Sequence, residues 1–226
     1  WHFKHGSYAQ IVYGKAAVGL RTLEGIVGEE GMQQIMLTYF QRWKFKHPCR
    51  EDFEAVAVEV SARELGEEMG GEVASFLRQL IYGTAECDYE VADLINKPIE
   101  DPLGYFDNTE DCISERTNSE EPLYEAKVIV FRNGEFVVPQ EVLITFSDGT
   151  QEGESWDGKG RSAEWVYVGT RQVVSAEIDP HFKIALDRNI LNNSKTLEPE
   201  QDGIFRYFVS FLTWLQRTTA GLSVLI

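Results

Sequence analysis

Residues 82–91, YGTAECDYEV, divide the chain into two kinds of sequence. Before this stretch, apolar residues recur every three or four positions. After it they alternate with polar ones or gather in short β-branched runs. A helix buries one stripe with a period of 3.6 and a strand buries one face with a period of two, so the two sides call for different secondary structure.

Upstream, Tyr8, Val12, Ala16, Leu20, Leu23 and Val27 share one stripe of a helix expected over residues 8–27. Ile11, Ala17, Val18 and Ile26 fill much of its other side, which predicts burial among neighbouring helices. Gly28 is the expected stop, and Glu29 and Glu30 suit the positive end of a following helix. That second helix places Met32, Ile35, Met36, Tyr39, Phe40 and Trp43 on one stripe, read as packing residues. The sequence KFKHP at 44–48 breaks it. A third helix starts near Arg50, with Glu51 and Asp52 in its first turn and Phe53, Val56, Ala57 and Val60 facing inward. A fourth is expected over residues 71–82. Connections this short imply roughly antiparallel neighbours.

Downstream, VIVFRNGEFVV at 128–138 reads as a hairpin turning at Asn133-Gly134, and VLITFSDGTQEGESW at 142–156 repeats the device at Asp148-Gly149. Further strands are expected in AEWVYVG (163–169), VVSAEIDP (173–180) and FKIALD (182–187). With residues 89–95 the total is about seven strands with regular turn signals, the profile of an antiparallel β-sandwich. Residues 100–122 are acidic and rich in turn formers, and read as a long surface loop between the first two strands. A closing helix over residues 199–217 is expected to pack back through Ile204, Phe208, Phe211, Leu212 and Leu215.

Composition excludes some partners. A net charge of −16 argues against nucleic acid, which needs clustered Lys and Arg, and against adsorption to an anionic membrane. The most apolar terminal stretch is interrupted by Arg206 and Arg217, so no membrane span is expected. Cys49, Cys87 and Cys112 have no zinc-like spacing and read as free thiols. His2 and His5 stand three apart without further ligands nearby and read as surface residues, and His47 and His181, each alone, read as surface or satisfied core residues. There is no Gly-x-Ser-x-Gly nucleophile elbow. The chain opens on Trp1 rather than Met and reads as a piece of something longer. By residue type alone, Tyr13 at the entrance of the first helix is an amphipathic packing residue.

Several features taken together resemble a known family. These are Tyr13-x-Lys15 opening a helix, Gly-Glu-Glu at its end, an aromatic-rich second helix, a proline and then EDF at the third, and YGT before the first strand. In this order they resemble the last part of the catalytic domain of the aminopeptidase N-like zinc metallopeptidases, the gluzincins of the membrane alanyl aminopeptidase type. VPQEVLITFSDG, WDG, EIDP and LDRNILNN resemble the β-sandwich that follows that domain. The resemblance implies an α+β multidomain arrangement. Residues 1–85 would be the last helices of the catalytic domain, residues 86–194 an immunoglobulin-like β-sandwich, and residues 195–226 a C-terminal helix. It implies a zinc-dependent aminopeptidase acting on peptides, with zinc ligands upstream of this chain, since no His-Glu-x-x-His motif is present here. It also implies that Tyr13 is the tyrosine that steadies the oxyanion, and that the chain by itself is inactive. Lys15 receives no role. The competing expectation is a non-catalytic interaction module or an inactive relative of the peptidases. In either case, exposed helix faces are expected to favour self-association.

Overall fold

The computed structural model describes residues 10–99, 122–197 and 211–212. A π-helical segment, Gln10–Lys15, leads into α1 (Ala16–Trp43), followed by α2 (Arg50–Leu65) and α3 (Glu67–Tyr82). The strands are β1 (Tyr89–Pro98), β2 (Tyr124–Arg132), β3 (Gln140–Phe146), β4 (Gln151–Trp156), β5 (Ser162–Gly169), β6 (Val173–Ile178) and β7 (Ser194–Thr196). Among the described residues the fold is α+β, with three α-helices followed by two antiparallel sheets. Their strand orders are β1-β2-β5 and β4-β3-β6-β7. The chain divides into two compact units, Trp1–Lys195 and Thr196–Ile226. Of the expected C-terminal helix only Phe211 and Leu212 are described, and both are helical. The expected acidic loop, the His2–His5 pair and Cys112 lie outside the described residues. No described helix is long and apolar enough to cross a membrane.

The helical layer follows its sequence closely at its breaks. Gly28 has φ 77° and ψ 167°, so the ladder of α1 is interrupted where a stop was expected, and the helix resumes at once. Only glycine occupies that region without steric cost. α3 begins at Glu67, earlier than the Gly-Gly pair at 70–71 implies. The reason is local. Gly66, at φ 104°, ends α2 and lets the next helix restart immediately, with Glu67 and Glu68 at its positive end. Gly70 sits inside α3, where an added Cβ would lie 2.7 Å from the Ala62 Cβ. There glycine serves close helix packing rather than a turn. Leu23, Ile35, Val56, Val60, Val73 and Leu77 form the helical core. Arg42 grips Glu59 with both guanidinium nitrogens, at 2.7 and 2.5 Å.

Between the sheets, aromatic pairs meet edge to face. Tyr89 of β1 meets Trp156 of β4 at 5.4 Å, and Phe146 of β3 meets Tyr167 of β5 at 5.1 Å. Asn96 of β1 bonds both the N–H and the C=O of Val173 on β6, each at 2.9 Å. Alternation along β3 places Gln140, Val142, Ile144 and Phe146 inward. The β3–β4 hairpin forms as expected. Gly149 takes φ 81°, and the Asp148 carboxylate accepts from the Thr150 N–H at 2.9 Å.

The hairpin expected at Asn133-Gly134 does not form. β2 pairs with β1 and β5, and the chain then crosses to the other sheet. The crossing segment finds its hydrogen bonds elsewhere. The N–H groups of Asn133 and Gly134 both donate to the Asp88 carbonyl, at 2.8 and 3.1 Å. Those of Glu135 and Phe136 donate to the Glu86 carbonyl, each at 3.0 Å. The Gln79 side chain reaches from α3, accepting from the Val137 N–H at 2.8 Å and donating to its carbonyl at 2.9 Å. The buried Tyr89 hydroxyl accepts from the Val138 N–H at 3.1 Å and lies equally near the carbonyls of Phe136 and Val138. Gly134 is needed for close approach, since a Cβ there would lie 2.1 Å from the Glu86 carbonyl oxygen. FKIALD is likewise no strand. Residues 179–184 form a turn held by Asp179, whose carboxylate accepts from the N–H groups of Lys183 and Ile184 at 2.8 and 2.7 Å. Asp187 makes a single bridge to Cys87. The last strand is β7 instead.

Two outcomes are expected. Tyr89→Phe strands the buried Val138 N–H and lowers stability by about 1–3 kcal/mol, read by urea denaturation. The second concerns alkaline pH. Burial pushes the Cys87 thiol well above the value near 9 of a free thiol, with Asp187 and Asp88 adding to the effect. Burial also raises the Tyr89 phenol to about 12. Both groups are raised in the fold, so their contribution is complete below the unfolded values and is lost as pH climbs through them. Stability should therefore fall above pH 9.0, by about 1.4 kcal/mol per pH unit for each group titrating only in the unfolded chain. Cys87→Ala should flatten the first part of that decline, whatever its effect at neutral pH.

Candidate functional site

Tyr13 lies in the π-helical segment, one residue before Gly14, and its side chain is 69% exposed. π-helical turns are uncommon and recur at functional sites. The phenol makes no hydrogen bond within the described chain. The segment ahead of it is held by two close contacts of α1. Gly19 lies against Leu80 of α3, where an added Cβ would be 2.5 Å from Cδ2. Gly25 lies against the Lys183 carbonyl, where a Cβ would be 2.2 Å from the oxygen. Small residues thus let α1 rest directly on α3 and on the turn after β6.

The same contacts correct the expectation of a helix buried on most sides. In the first half of α1 only Gly19, Thr22, Leu23 and Val27 are buried. Val12, Val18 and Leu20 are exposed. The stripe on the second half is also split. Ile35 is buried, Tyr39 packs edge to face on Phe53 at 5.3 Å, and Phe40 is 64% exposed. Apolar periodicity identified which residues line a helix but not which apolar face the rest of the chain covers.

Below the entrance of α1 lies a groove of about 430 Å³. One wall is α1 from Lys15 to Leu20 with Met36 and Tyr39 further along, and the other is Phe53 with Leu77, Leu80 and Ile81. Lys15 is the single charged side chain on it. A second cleft, about 320 Å³, opens between the helices and the crossing segment and carries Glu68, Glu72 and Asp157 on its rim. Residue-by-residue reading missed the groove because its members come from three helices. The only hint was that α1 is apolar over more than one stripe.

Other candidates are removed by geometry. Cys49 begins α2, where its N–H and its thiol both donate to the Asp52 carboxylate, at 2.8 and 3.0 Å. That carboxylate holds the thiol protonated above its ordinary range, so Cys49 is a cap and lacks the environment of a nucleophile. Cys87 is buried and also raised. Glu51 is lowered to about 2, chiefly through its hydrogen bond with Arg50, and serves the start of α2. Among the described residues, no group of three or more His, Cys, Asp or Glu side chains is placed to hold a metal ion. The described residues alone therefore offer no zinc site.

No protein-family model matches the chain, and no curated protein matches it. Among solved structures, the crystal structure of Legionella pneumophila aminopeptidase A in complex with aspartic acid is similar, with a TM-score of 0.45 and 14% sequence identity. The alignment covers 80% of this chain and 18% of that one. The present chain therefore spans under a fifth of that protein's length, and a likeness this distant bears on neither a reaction nor its residues.

Proposed function

We propose that the chain is the C-terminal part of a zinc-dependent aminopeptidase of the gluzincin type, in which Tyr13 donates a hydrogen bond to the peptide oxygen that gains negative charge. In this reading residues 1–85 belong to the catalytic domain, residues 86–194 to an immunoglobulin-like sandwich and residues 195–226 to a closing helical segment. The single observation that carries it is the open phenol of Tyr13, set on a π-helical turn whose following helix is fixed by glycine contacts. A ring sealed in packing would have ended it. The division of the β-strands into sheets of three and four, with successive strands crossing between them, is compatible with the sandwich.

The chemistry follows from the residue type. When water adds to a peptide carbonyl, its oxygen becomes an oxyanion, and a donor held in advance at that place favours the transition state over the ground state. A phenol has one proton to give and, near neutral pH, keeps it. Zinc, where present, polarises the carbonyl and activates the water. Its ligands are assigned in this reading to sequence other than this chain, which carries no His-Glu-x-x-His motif. The exposed apolar side chains outside the groove, Val12 of the π-helical segment and Val18, Leu37 and Phe40 of α1, are in this reading the surface that receives those segments.

The test is Tyr13→Phe in the longest natural polypeptide that carries this chain, assayed on an aminoacyl reporter. The expected result is a loss of about 10²–10³ in kcat with KM little changed and the fold intact. Near-normal turnover refutes the role of Tyr13. Residues 1–226 alone are expected to release nothing from the reporter.

A further inference from the structure

Lys15 is the member of the Tyr-x-Lys motif that the proposed reaction leaves unused. It stands at the edge of the apolar groove and, in a chain of net charge −16, its side chain makes no ion pair and no hydrogen bond among the described residues. The Tyr39 hydroxyl, on the same groove, also makes no hydrogen bond among the described residues, although its ring packs edge to face on Phe53. The other groove-lining side chains, such as Leu20, Met36, Leu80 and Ile81, are hydrocarbon or thioether. The volume of about 430 Å³ lies within the range of small-molecule sites, roughly 300–1,000 Å³, and such sites combine an apolar wall with a few polar groups. Its floor is preformed, since Leu77 is buried and the Tyr39–Phe53 pair is packed.

From this charge pattern we infer that the groove binds a small anionic amphiphile, an alkyl or aryl carboxylate of fatty-acid chemistry. The apolar body lies between Leu20, Met36, Leu80 and Ile81, and the carboxylate meets the free ammonium of Lys15. A cationic head group is rejected by the same lysine, and a neutral one forfeits the charge-assisted hydrogen bond. The site is independent of Tyr13 and needs no reaction.

The test is a titration of the 226-residue chain with carboxyl-labelled dodecanoate below its critical micelle concentration, followed by carbon NMR and calorimetry. One saturable site is expected. Lys15→Glu should weaken it by about tenfold or more, and dodecyltrimethylammonium should bind more weakly than dodecanoate by about the same factor. Leu20→Trp, which fills the groove from an exposed position, should abolish binding while the circular dichroism spectrum is unchanged. Equal binding of the two head groups, unchanged affinity in Lys15→Glu, or no saturable binding would overturn the assignment. It would equally be overturned if sedimentation showed copies of the chain associating through the groove, with Leu20→Trp separating them and dodecanoate failing to.

Discussion

The six consecutive backbone N–H groups from Asn133 to Val138 belong to no strand, and yet each is hydrogen-bonded. That is the constraint on which the rest of the structure depends. A chain that leaves one sheet and enters another through the interior cannot leave its peptide groups unpaired, because each buried orphan costs on the order of 1–3 kcal/mol. Here the partners are supplied by the segment 86–89 and by Gln79 of α3. The same bonds that satisfy the crossing therefore tie the last helix to both sheets. Arg132 completes the arrangement. Its buried guanidinium donates to the carbonyls of Gly134 and Gly158 at 2.8 and 2.9 Å.

Once α3 is anchored in this way, the position of α1 follows from two glycines. Gly19 against Leu80 and Gly25 against Lys183 allow contact distances that any side chain would prevent. Contact through so narrow a stripe has a consequence for function. Among the described residues it leaves the entrance of α1, with Tyr13, open, and it leaves a groove beneath Lys15 that their side chains do not fill. An exposed apolar surface of this kind is uncommon unless something binds it. Presentation of Tyr13 and formation of the groove are thus two results of one packing solution.

Stability and site use different groups. Cys87 and Tyr89 are buried and Asp187 is partly buried where the crossing segment meets the sheets, and burial raises each of them. None lies near Tyr13 in sequence, and their hydrogen bonds are to backbone or to one another's neighbours. They hold structure rather than perform chemistry. Conversely, the side chains of Tyr13 and Lys15 make no hydrogen bond among the described residues, which leaves both available to a ligand.

The sequence by itself determined that helices come first and strands follow. The change of apolar period at residues 82–91 separated helices from strands, Gly28 and KFKHP marked real interruptions, and Asp148-Gly149 made the turn that its positive φ requires. These are local effects, decided within a few residues by sterics and hydrogen bonding. The sequence also brought Tyr13 forward, through resemblance rather than through any physical signal at that position. Only the tertiary structure decided that Asn133-Gly134 is a crossing and not a hairpin, because that depends on where the carbonyls of Glu86 and Asp88 come to lie, some forty-five residues away. It decided which face of α1 is covered, since two helix faces of similar composition compete for one partner. It decided that three helices leave a groove between them. A pattern of residues states which side chains prefer to leave water, and long-range packing chooses which of them can.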